Sequence, residues 1–177
     1  QTPKLRFALV GAGVIGRTHA RALADLPDLA ELVTVVDTDL ARAKELADRY
    51  GVEATTDLNA VLRRDDIDAV TICTPSGVHA DGAVAALDAG KHVVVEKPID
   101  ITLPAADRII DAEKRSGKTV AVWAGGLSLL SWFALSFMTG GGLFQWGSAS
   151  GQFALTKAFE LGTTSALTIL FVWGTRD

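Results

Sequence analysis

Three glycines at fixed spacing form the part of this sequence best suited to hold a phosphate-bearing ligand. Gly11, Gly13 and Gly16 give the pattern G-x-G-x-x-G, which follows an apolar run and precedes a helical pattern. The first glycine permits a tight turn, the second lets the backbone approach a pyrophosphate, and the third lets the helix pack closely. Backbone N–H groups at Val14 and Ile15 start that helix, where its dipole favours an anion. The pattern predicts a dinucleotide site; the alternative is a glycine-rich turn without a ligand.

Asp37 is the next residue that suits a nucleotide. It follows Gly16 by 21 residues and ends a run of β-prone residues. A carboxylate at the end of a second strand accepts hydrogen bonds from the hydroxyls of an adenosine ribose. The same charge repels a 2′-phosphate, so NAD is predicted over NADP, although Arg42, one turn further on, would soften that preference. The alternative is a solvent-exposed aspartate in a strand-to-helix turn.

Thr74 and Pro75 lie between an apolar run and a helical pattern. Ligands of open α/β sheets bind outside the carboxyl ends of the strands, so these two residues are expected to face the cofactor. The alternative is a plain turn capped by Ser76. Cys73 has no neighbouring base in the sequence and is interpreted as a small core residue rather than a nucleophile.

A further turn at a strand end carries two charges, Glu96 and Lys97, directly before Pro98. Charges at the end of a buried strand are costly unless they are paired or used. A partly desolvated lysine has a lowered pKa and can relay a proton, so Lys97 is a candidate to bond a substrate hydroxyl and the nicotinamide ribose. The residues alone favour equally a catalytic Lys97 and a surface pair of charges in a turn set by Pro98.

The three histidines are weaker candidates. His19 lies behind the glycine loop and is interpreted as structural or cofactor-side, His79 as a residue that faces the cofactor, and His92 as structural. Their positions show no metal-ligand spacing and no Ser-His-Asp arrangement, so we predict no metal site.

These residues need a scaffold that brings strand ends together, and the hydrophobic pattern predicts one. Apolar runs alternate with helical patterns, which predicts an α/β fold with a doubly wound parallel sheet of the Rossmann type. The predicted strands are 5–10, 31–36, 54–55, 69–73, 92–95 and 119–122, and the predicted helices are 14–26, 40–50, 58–63, 78–89 and 103–116. Asp39 and Asp57 are predicted N-caps, and Gly51 and Gly90 are predicted helix ends.

The uneven distribution of charge predicts a domain boundary near Val122. Residues 123–177 contain four charged side chains, yet they hold all four tryptophans and six of the seven phenylalanines. We therefore predict a dinucleotide-binding domain at 1–122 and a reduced second α+β domain at 123–177. The later segment includes predicted elements at 127–138, 139–142, 153–161 and 166–173. Its apolar surface must pack on the first domain, on itself or on another chain, and the last case predicts a homo-oligomer.

Overall composition bounds the partners and the compartment. The net charge of −4 argues against a nucleic-acid partner that binds a basic surface. No apolar run approaches the ~18 residues of a membrane span. The single cysteine excludes an internal disulfide and favours a reducing, cytoplasmic location.

Four ordered motifs together resemble one family. G-A-G-V-I-G-R-T-H-A, V-V-D, C-T-P-S-G-V-H-A and A-G-K-H-V-V-V-E-K-P are similar to motifs of the Gfo/Idh/MocA oxidoreductases, the relatives of glucose-fructose oxidoreductase and inositol dehydrogenase. The resemblance covers residues 5–122 and implies an NAD-dependent enzyme that acts on a sugar, inositol or related polyol. It implies the following roles: the pyrophosphate on Gly11, Gly13 and Gly16, the adenosine ribose on Asp37, the nicotinamide side at Thr74, Pro75, His79 and Glu96, and the catalytic lysine at Lys97.

The same resemblance marks a departure in the later segment. The family's second domain carries the pattern G-G-G-x-L-x-D-x-G-x-H-x-x-D, whose aspartate and histidine act with the lysine on the substrate hydroxyl. Here Gln145, Ala149 and Gln152 stand at the positions of the first aspartate, the histidine and the last aspartate. Glutamine does not titrate and alanine offers no acid or base, so cofactor binding is better supported by the sequence than turnover.

Three functions therefore remain open from the sequence. The first is an NAD-dependent oxidoreductase of a sugar or polyol. The second is a non-catalytic NAD-binding module or an inactive variant. The third makes the apolar segment after residue 122 an association surface.

Overall fold

The computed structural model describes residues 4–123 and 170–172. The chain divides into two compact units, Gln1–Val122 with Val172–Asp177, and Trp123–Phe171. Several predictions for the later segment lie outside the described residues. They are the elements at 127–138, 139–142 and 153–161, the motif at 140–152, and most of the apolar segment predicted to form a homo-oligomer. The predicted strand 166–173 is described only at β7, Leu170–Val172. The assignment of separate binding and substrate domains stays a prediction.

Residues 4–123 contain six strands that alternate with helices, as the hydrophobic pattern predicts. The strands are β1 (Leu5–Val10), β2 (Ala30–Val36), β3 (Glu53–Thr55), β4 (Ala69–Ile72), β5 (His92–Glu96) and β6 (Val120–Trp123). The helices are α1 (Val14–Ala24), α2 (Leu40–Tyr50), α3 (Leu58–Leu62), α4 (His79–Asp88) and α5 (Leu103–Ser116).

The strand order is that of a doubly wound sheet. The order is β3-β2-β1-β4-β5-β6, and the pairs β1–β2, β1–β4, β2–β3 and β4–β5 are parallel. The predicted α/β fold class is therefore confirmed. The strand order reverses between β1 and β4. In open α/β sheets, ligands bind at such a point, in a crevice outside the carboxyl ends of the strands.

Alternating strand residues cover both faces of the sheet. Leu9 and Val35 pack with Ala43 and Leu46 of α2 on one face. On the other face a larger cluster joins strand residues to α4 and α5. It includes Ala8, Val10, Ile72, Leu87, Val95 and Ile109. Ile72, Leu87 and Ile109 are fully buried. Burial on both sides explains why these strands read as continuous apolar runs.

Local signals set most helix ends. Asp39 accepts hydrogen bonds from Ala41 N and Arg42 N, and Asp57 accepts one from Ala60 N, so both predicted N-caps are confirmed. Gly51 ends α2 in the left-handed region with φ 66°, which a glycine adopts without strain.

Four helix bounds differ from the prediction by one or two residues: the end of α1, the end of α3 and both ends of α4. The first helix ends at Ala24 instead of 26, where the N–H of Leu26 bonds Leu23 O in a tighter turn. The fourth helix begins at His79 after a single 3₁₀ turn, Ser76–Val78, and no side chain of its own segment caps it. A distant residue does so instead, because Asp100 Oδ2 accepts a hydrogen bond from Ala80 N at 3.0 Å.

Candidate functional site

The glycine loop forms the turn between β1 and α1 at the carboxyl edge of the sheet. Gly11 has φ 99°, and a Cβ there would lie 2.6 Å from Cys73 O. A Cβ on Gly16 would lie 1.9 Å from Gly11 O, so the start of α1 packs directly on the loop. A Cβ on Gly13 would meet nothing within 4 Å, which leaves open space beside this backbone. Two glycines are thus required by packing, and the middle one faces a space that a ligand can fill.

The start of α1 suits an anion. Gly13 is the N-cap of α1 and no side chain caps it, while the first turn holds no acidic residue. Val14 and Ile15 are 81 % and 43 % exposed, so the backbone around them is accessible. The first N–H groups of a helix lack partners within the helix, and its dipole adds positive potential at that point.

Asp37 has a second task that the sequence does not reveal. Its carboxylate is buried and accepts hydrogen bonds from Ala12 N at 2.8 Å and from Asp39 N at 2.9 Å. It therefore ties the end of β2 to the glycine loop. Arg42 Nε lies 4.0 Å from Asp37 Oδ1 on a side chain that is 49 % exposed. Each carboxylate oxygen has a further lone pair, so binding of a ribose by Asp37 remains a prediction compatible with these bonds.

Thr74 and Pro75 continue from the end of β4. Within the described residues, Thr74 Oγ1 is the one buried side-chain oxygen or nitrogen that has no hydrogen-bond partner. A buried hydroxyl without a partner costs free energy, and a bound ligand would relieve that cost. Pro75 is exposed beside it.

Cys73 is a buried core residue, as its sequence context predicts. Burial raises the pKa of the thiol to about 12, so it stays protonated near neutral pH. Its Sγ lies 3.7 Å from Thr71 Oγ1. A protonated, enclosed thiol is a poor nucleophile, and Cys73 contributes packing.

Glu96 and Lys97 have opposite environments. Glu96 is 7 % exposed, and its Oε2 accepts a hydrogen bond from Lys97 N at 3.0 Å. The Lys97 side chain is exposed, which differs from the expectation of a partly desolvated amine. The pattern of a charged pair at a buried strand end does not say which member is inside. Here β5 ends at the buried Glu96, and Lys97, the first residue of the turn, is exposed.

His79 holds two loops together. Its ring is 1 % exposed, with Nδ1 2.9 Å from Pro98 O and Nε2 2.8 Å from Thr74 O. Both ring nitrogens therefore face backbone carbonyls, which ties the loop after β4 to the loop after β5. A direct contact between this ring and a nicotinamide stays a prediction, because neither nitrogen points away from the protein in this arrangement.

Asp100 was not recognised from the sequence. It accepts hydrogen bonds from Ala80 N and from Ile101 N, at 3.0 and 2.7 Å. Burial raises the pKa of this carboxyl, but the backbone hydrogen bonds outweigh burial and the net pKa lies below the usual value. No local sequence signal could have found it, since its partner Ala80 in α4 lies 20 residues earlier.

His19, interpreted from the sequence as structural or cofactor-side, forms a buried group with Thr71, for which the sequence predicted no role. His19 is 2 % exposed, with Nδ1 2.7 Å from Thr71 Oγ1 and Nε2 3.0 Å from Glu96 Oε1. The polar Thr71 within an apolar strand is the signal that could have indicated a buried hydrogen-bond partner. The contact joins α1, β4 and β5 directly behind the crevice.

A separate cavity of about 630 Å³ lies at the opposite, amino-terminal edge of the sheet. Three of its charged groups have partners within the protein: Arg6 binds Asp68 at 2.8 Å, and Lys91 Nζ donates to Arg64 O and Ile67 O. The crevice at the carboxyl edge, with its open glycine and unpartnered hydroxyl, is the better candidate for a ligand site. No group of three or more histidine, cysteine, aspartate or glutamate side chains in the described part of the chain is arranged to hold a metal.

Comparison with known proteins identifies similar chains. A 4-carboxy-2-hydroxymuconate-6-semialdehyde dehydrogenase from Sphingobium sp. is 42% identical over 119 residues, which covers 65% of this chain and 36% of that protein. An inositol 2-dehydrogenase from Salmonella typhimurium is 39% identical over 116 residues, covering 64% and 34%. The chain thus spans about a third of the length of the curated relatives it matches.

The fold is shared with solved structures. The WlbA dehydrogenase from Chromobactrium violaceum, crystallised with NADH and UDP-GlcNAcA, is 36% identical with a TM-score of 0.66, over 69% of this chain and 36% of that chain. Among the helices of the described residues, none is long and apolar enough to cross a membrane. The model of the Gfo/Idh/MocA family, described as an oxidoreductase family with an NAD-binding Rossmann fold, matches residues 5–124. Since that match covers more than half of the sequence, this chain belongs to the Gfo/Idh/MocA oxidoreductase family.

Proposed function

We propose that residues 4–123 are the NAD-binding part of an oxidoreductase that acts on a hydroxyl of a sugar, inositol or related polyol. The observation that carries the proposal is the convergence of the glycine loop, Thr74 and Lys97 at one carboxyl edge of a doubly wound sheet. The relatives named above include an inositol dehydrogenase, which favours the polyol class.

The residues present fit a dinucleotide. The open space beside Gly13 and the unpartnered Thr74 Oγ1 are both features that a ligand at this edge would use. We assign the pyrophosphate to the glycine loop with the N–H groups of Val14 and Ile15, and the adenosine ribose to Asp37. We assign the nicotinamide end to the region of Thr74, Pro75, His79, Glu96 and Lys97. NAD is favoured over NADP because the Asp37 carboxylate repels a 2′-phosphate.

Lys97 is assigned the proton-transfer role. NAD, when bound, would supply the hydride acceptor for the substrate carbon. The Lys97 amine would exchange a proton with the substrate hydroxyl. Such general-base catalysis typically contributes ~10²–10⁴-fold. The exposed amine is accessible to a substrate.

A non-catalytic NAD-binding module is the second candidate. Its supporting observation is the identity of Gln145, Ala149 and Gln152, which lack the acid–base groups of the family's pattern. This candidate keeps every cofactor contact proposed above and removes turnover. In both cases we propose that the apolar segment after residue 122 packs against a second copy of the chain and forms a homo-oligomer. A monodisperse monomer in light scattering at micromolar concentration would reject that association.

The experiment begins with calorimetric titration of the full chain with NAD and with NADP. A panel of sugars and polyols is then screened for NADH formation by wild type, Lys97→Ala and the control Lys114→Ala, which removes an exposed lysine on α5. The enzyme proposal expects turnover that falls about 100-fold or more in Lys97→Ala alone. NAD binding without turnover favours the module, and the absence of NAD binding contradicts both.

A further inference from the structure

A buried hydrogen-bonded path runs from the cofactor-loop helix to the main chain of Lys97. His19 of α1 contacts Glu96 Oε1 at 3.0 Å, and the other oxygen of that carboxylate accepts a hydrogen bond from Lys97 N at 3.0 Å. We infer that His19 is a positioning residue for Lys97, which acts by orienting the carboxylate of Glu96.

The contacts give one consistent set of proton positions. An ionised Glu96 is an acceptor only, so the hydrogen of the His19 ring lies on Nε2. In the neutral ring Nδ1 then accepts a hydrogen bond, and the Thr71 hydroxyl 2.7 Å away is its donor. Thr71 Oγ1 in turn lies 3.7 Å from the Cys73 thiol. The donors therefore point in one direction, from Cys73 through Thr71 and His19 to Glu96.

The electrostatic environment supports the neutral ring. Burial lowers the pKa of His19, and the adjacent Glu96 opposes that shift without reversing it. The Cys73 thiol at the far end stays protonated, because burial raises its pKa to about 12. The His19 ring and the Cys73 thiol are thus both uncharged near neutral pH.

The location of the path gives it a specific role. His19 lies in the second turn of α1, the helix whose first turn follows the glycine loop, and its side chain reaches β5 across β4. Glu96 is the last residue of β5, so the direction in which the chain leaves the strand depends on how this side chain is held. With its first oxygen fixed by His19, the second oxygen is placed to hold the Lys97 N–H. The amine of Lys97 then emerges from a defined main-chain position.

This inference rests on the proposed function only in treating Lys97 as the proton acceptor. The hydrogen bond between Lys97 N and Glu96 exists without a substrate, so the positioning role is measurable in the protein alone. The alternative is that His19 merely fills space in the core, in which case its loss would weaken all neighbouring strands alike.

The test compares His19→Gln, His19→Asn and the control Thr18→Ala in the full chain. Glutamine places an amide N–H at about the position of Nε2 and restores a donor to Glu96, whereas asparagine is too short to reach it. Thr18 is an exposed residue of the same helix. A further variant, Thr71→Val, keeps the volume of the threonine and removes the partner of Nδ1, so it tests the same path if His19→Asn does not fold.

The readout is amide hydrogen exchange followed by NMR at Lys97, with Val70 and Val94 as internal references in β4 and β5. We expect His19→Asn to speed amide exchange at Lys97 about tenfold or more, because the hydrogen bond that orients Glu96 is lost. Exchange at the two reference amides should change little. Thr71→Val is expected to speed it less, and His19→Gln and Thr18→Ala to leave it near wild type. Unchanged exchange at Lys97, or equal acceleration at all three amides, would overturn the inference.

Kinetics and binding separate this inference from the proposed function. Where wild type turns over a polyol, His19→Asn is expected to lower kcat with little change in the Kd for NAD, and His19→Gln to recover most of kcat. A wild-type chain that does not bind NAD would contradict the proposed function, while exchange at Lys97 would still decide the role of His19.

Discussion

The backbone N–H of Ala12 donates a hydrogen bond to Asp37 Oδ2 across 2.8 Å, which joins the glycine loop to the end of the second strand. The residue proposed to select the ribose is thus also a part of the loop proposed to hold the pyrophosphate. A change at Asp37 should therefore alter both the specificity and the overall strength of cofactor binding.

Asp37→Asn separates the charge from the hydrogen bond. The amide oxygen can still accept from Ala12 N and keep the tie to the loop, although the NH2 group can no longer accept from Asp39 N. The repulsion of a 2′-phosphate is lost. We expect the affinity for NADP relative to NAD to rise about tenfold or more, since like charges in contact cost several kcal/mol. Calorimetric titration with both cofactors measures the ratio. Asp57→Asn, at the N-cap of α3, is the control, and an unchanged ratio in Asp37→Asn would remove the specificity role.

The glycine loop offers a matched pair of alanine substitutions. A Cβ on Gly16 would lie 1.9 Å from Gly11 O, so Gly16→Ala should lower the free energy of unfolding by about 2 kcal/mol or more. Gly13→Ala meets nothing within 4 Å and should stay within about 0.5 kcal/mol of wild type. It should nevertheless weaken NAD binding about tenfold or more, because the new methyl group occupies the space proposed for the pyrophosphate.

Denaturant unfolding and NAD titration on the same samples check this pair. The informative result is a stable Gly13→Ala protein with poor binding. If Gly13→Ala binds NAD as wild type does, the assignment of the pyrophosphate to this loop is wrong.

The ion pair between Arg6 and Asp68 predicts a dependence of stability on acid. The guanidinium of Arg6 lowers the pKa of Asp68 to about 2. Because the folded pKa lies below the unfolded one, the stabilisation is complete above about pH 4 and is lost as the pH falls towards about 2. The side chains are 38% and 30% exposed, so solvent screening limits the contribution to about 1 kcal/mol.

Urea unfolding of wild type and Asp68→Asn near pH 5 and near pH 2 measures that contribution. We expect a difference of about 1 kcal/mol near pH 5 that shrinks towards acid. An equal difference at both pH values would mean that the substitution acts through packing rather than charge.

Cys73 should be unreactive in the folded protein. Burial raises the pKa of its thiol to about 12, which leaves about a thousandfold less thiolate than in an exposed cysteine. A disulfide-exchange reagent at mildly alkaline pH should therefore label the native chain far more slowly than the chain in concentrated guanidinium. Rapid labelling of the native protein would show that this edge of the sheet opens readily.

Local chemistry explains why much of the fold could be predicted. Asp39, Asp57 and Gly51 act on residues within a few positions of themselves, so their roles as helix ends are visible in the sequence. The alternation of apolar runs and helical patterns gives the sheet, and the steric needs of Gly11 and Gly16 give the β1–α1 turn.

The amino-acid sequence by itself determined the family, the doubly wound sheet and the edge at which a cofactor is proposed to bind, because each depends on spacing along the chain. Only the tertiary structure decided which polar groups contact one another at that edge of the sheet. His19 and Glu96 are 77 residues apart, and His79 meets the carbonyl of a residue 19 positions later. Hydrogen bonds between distant segments follow from the register and packing of the strands, and no local pattern records them.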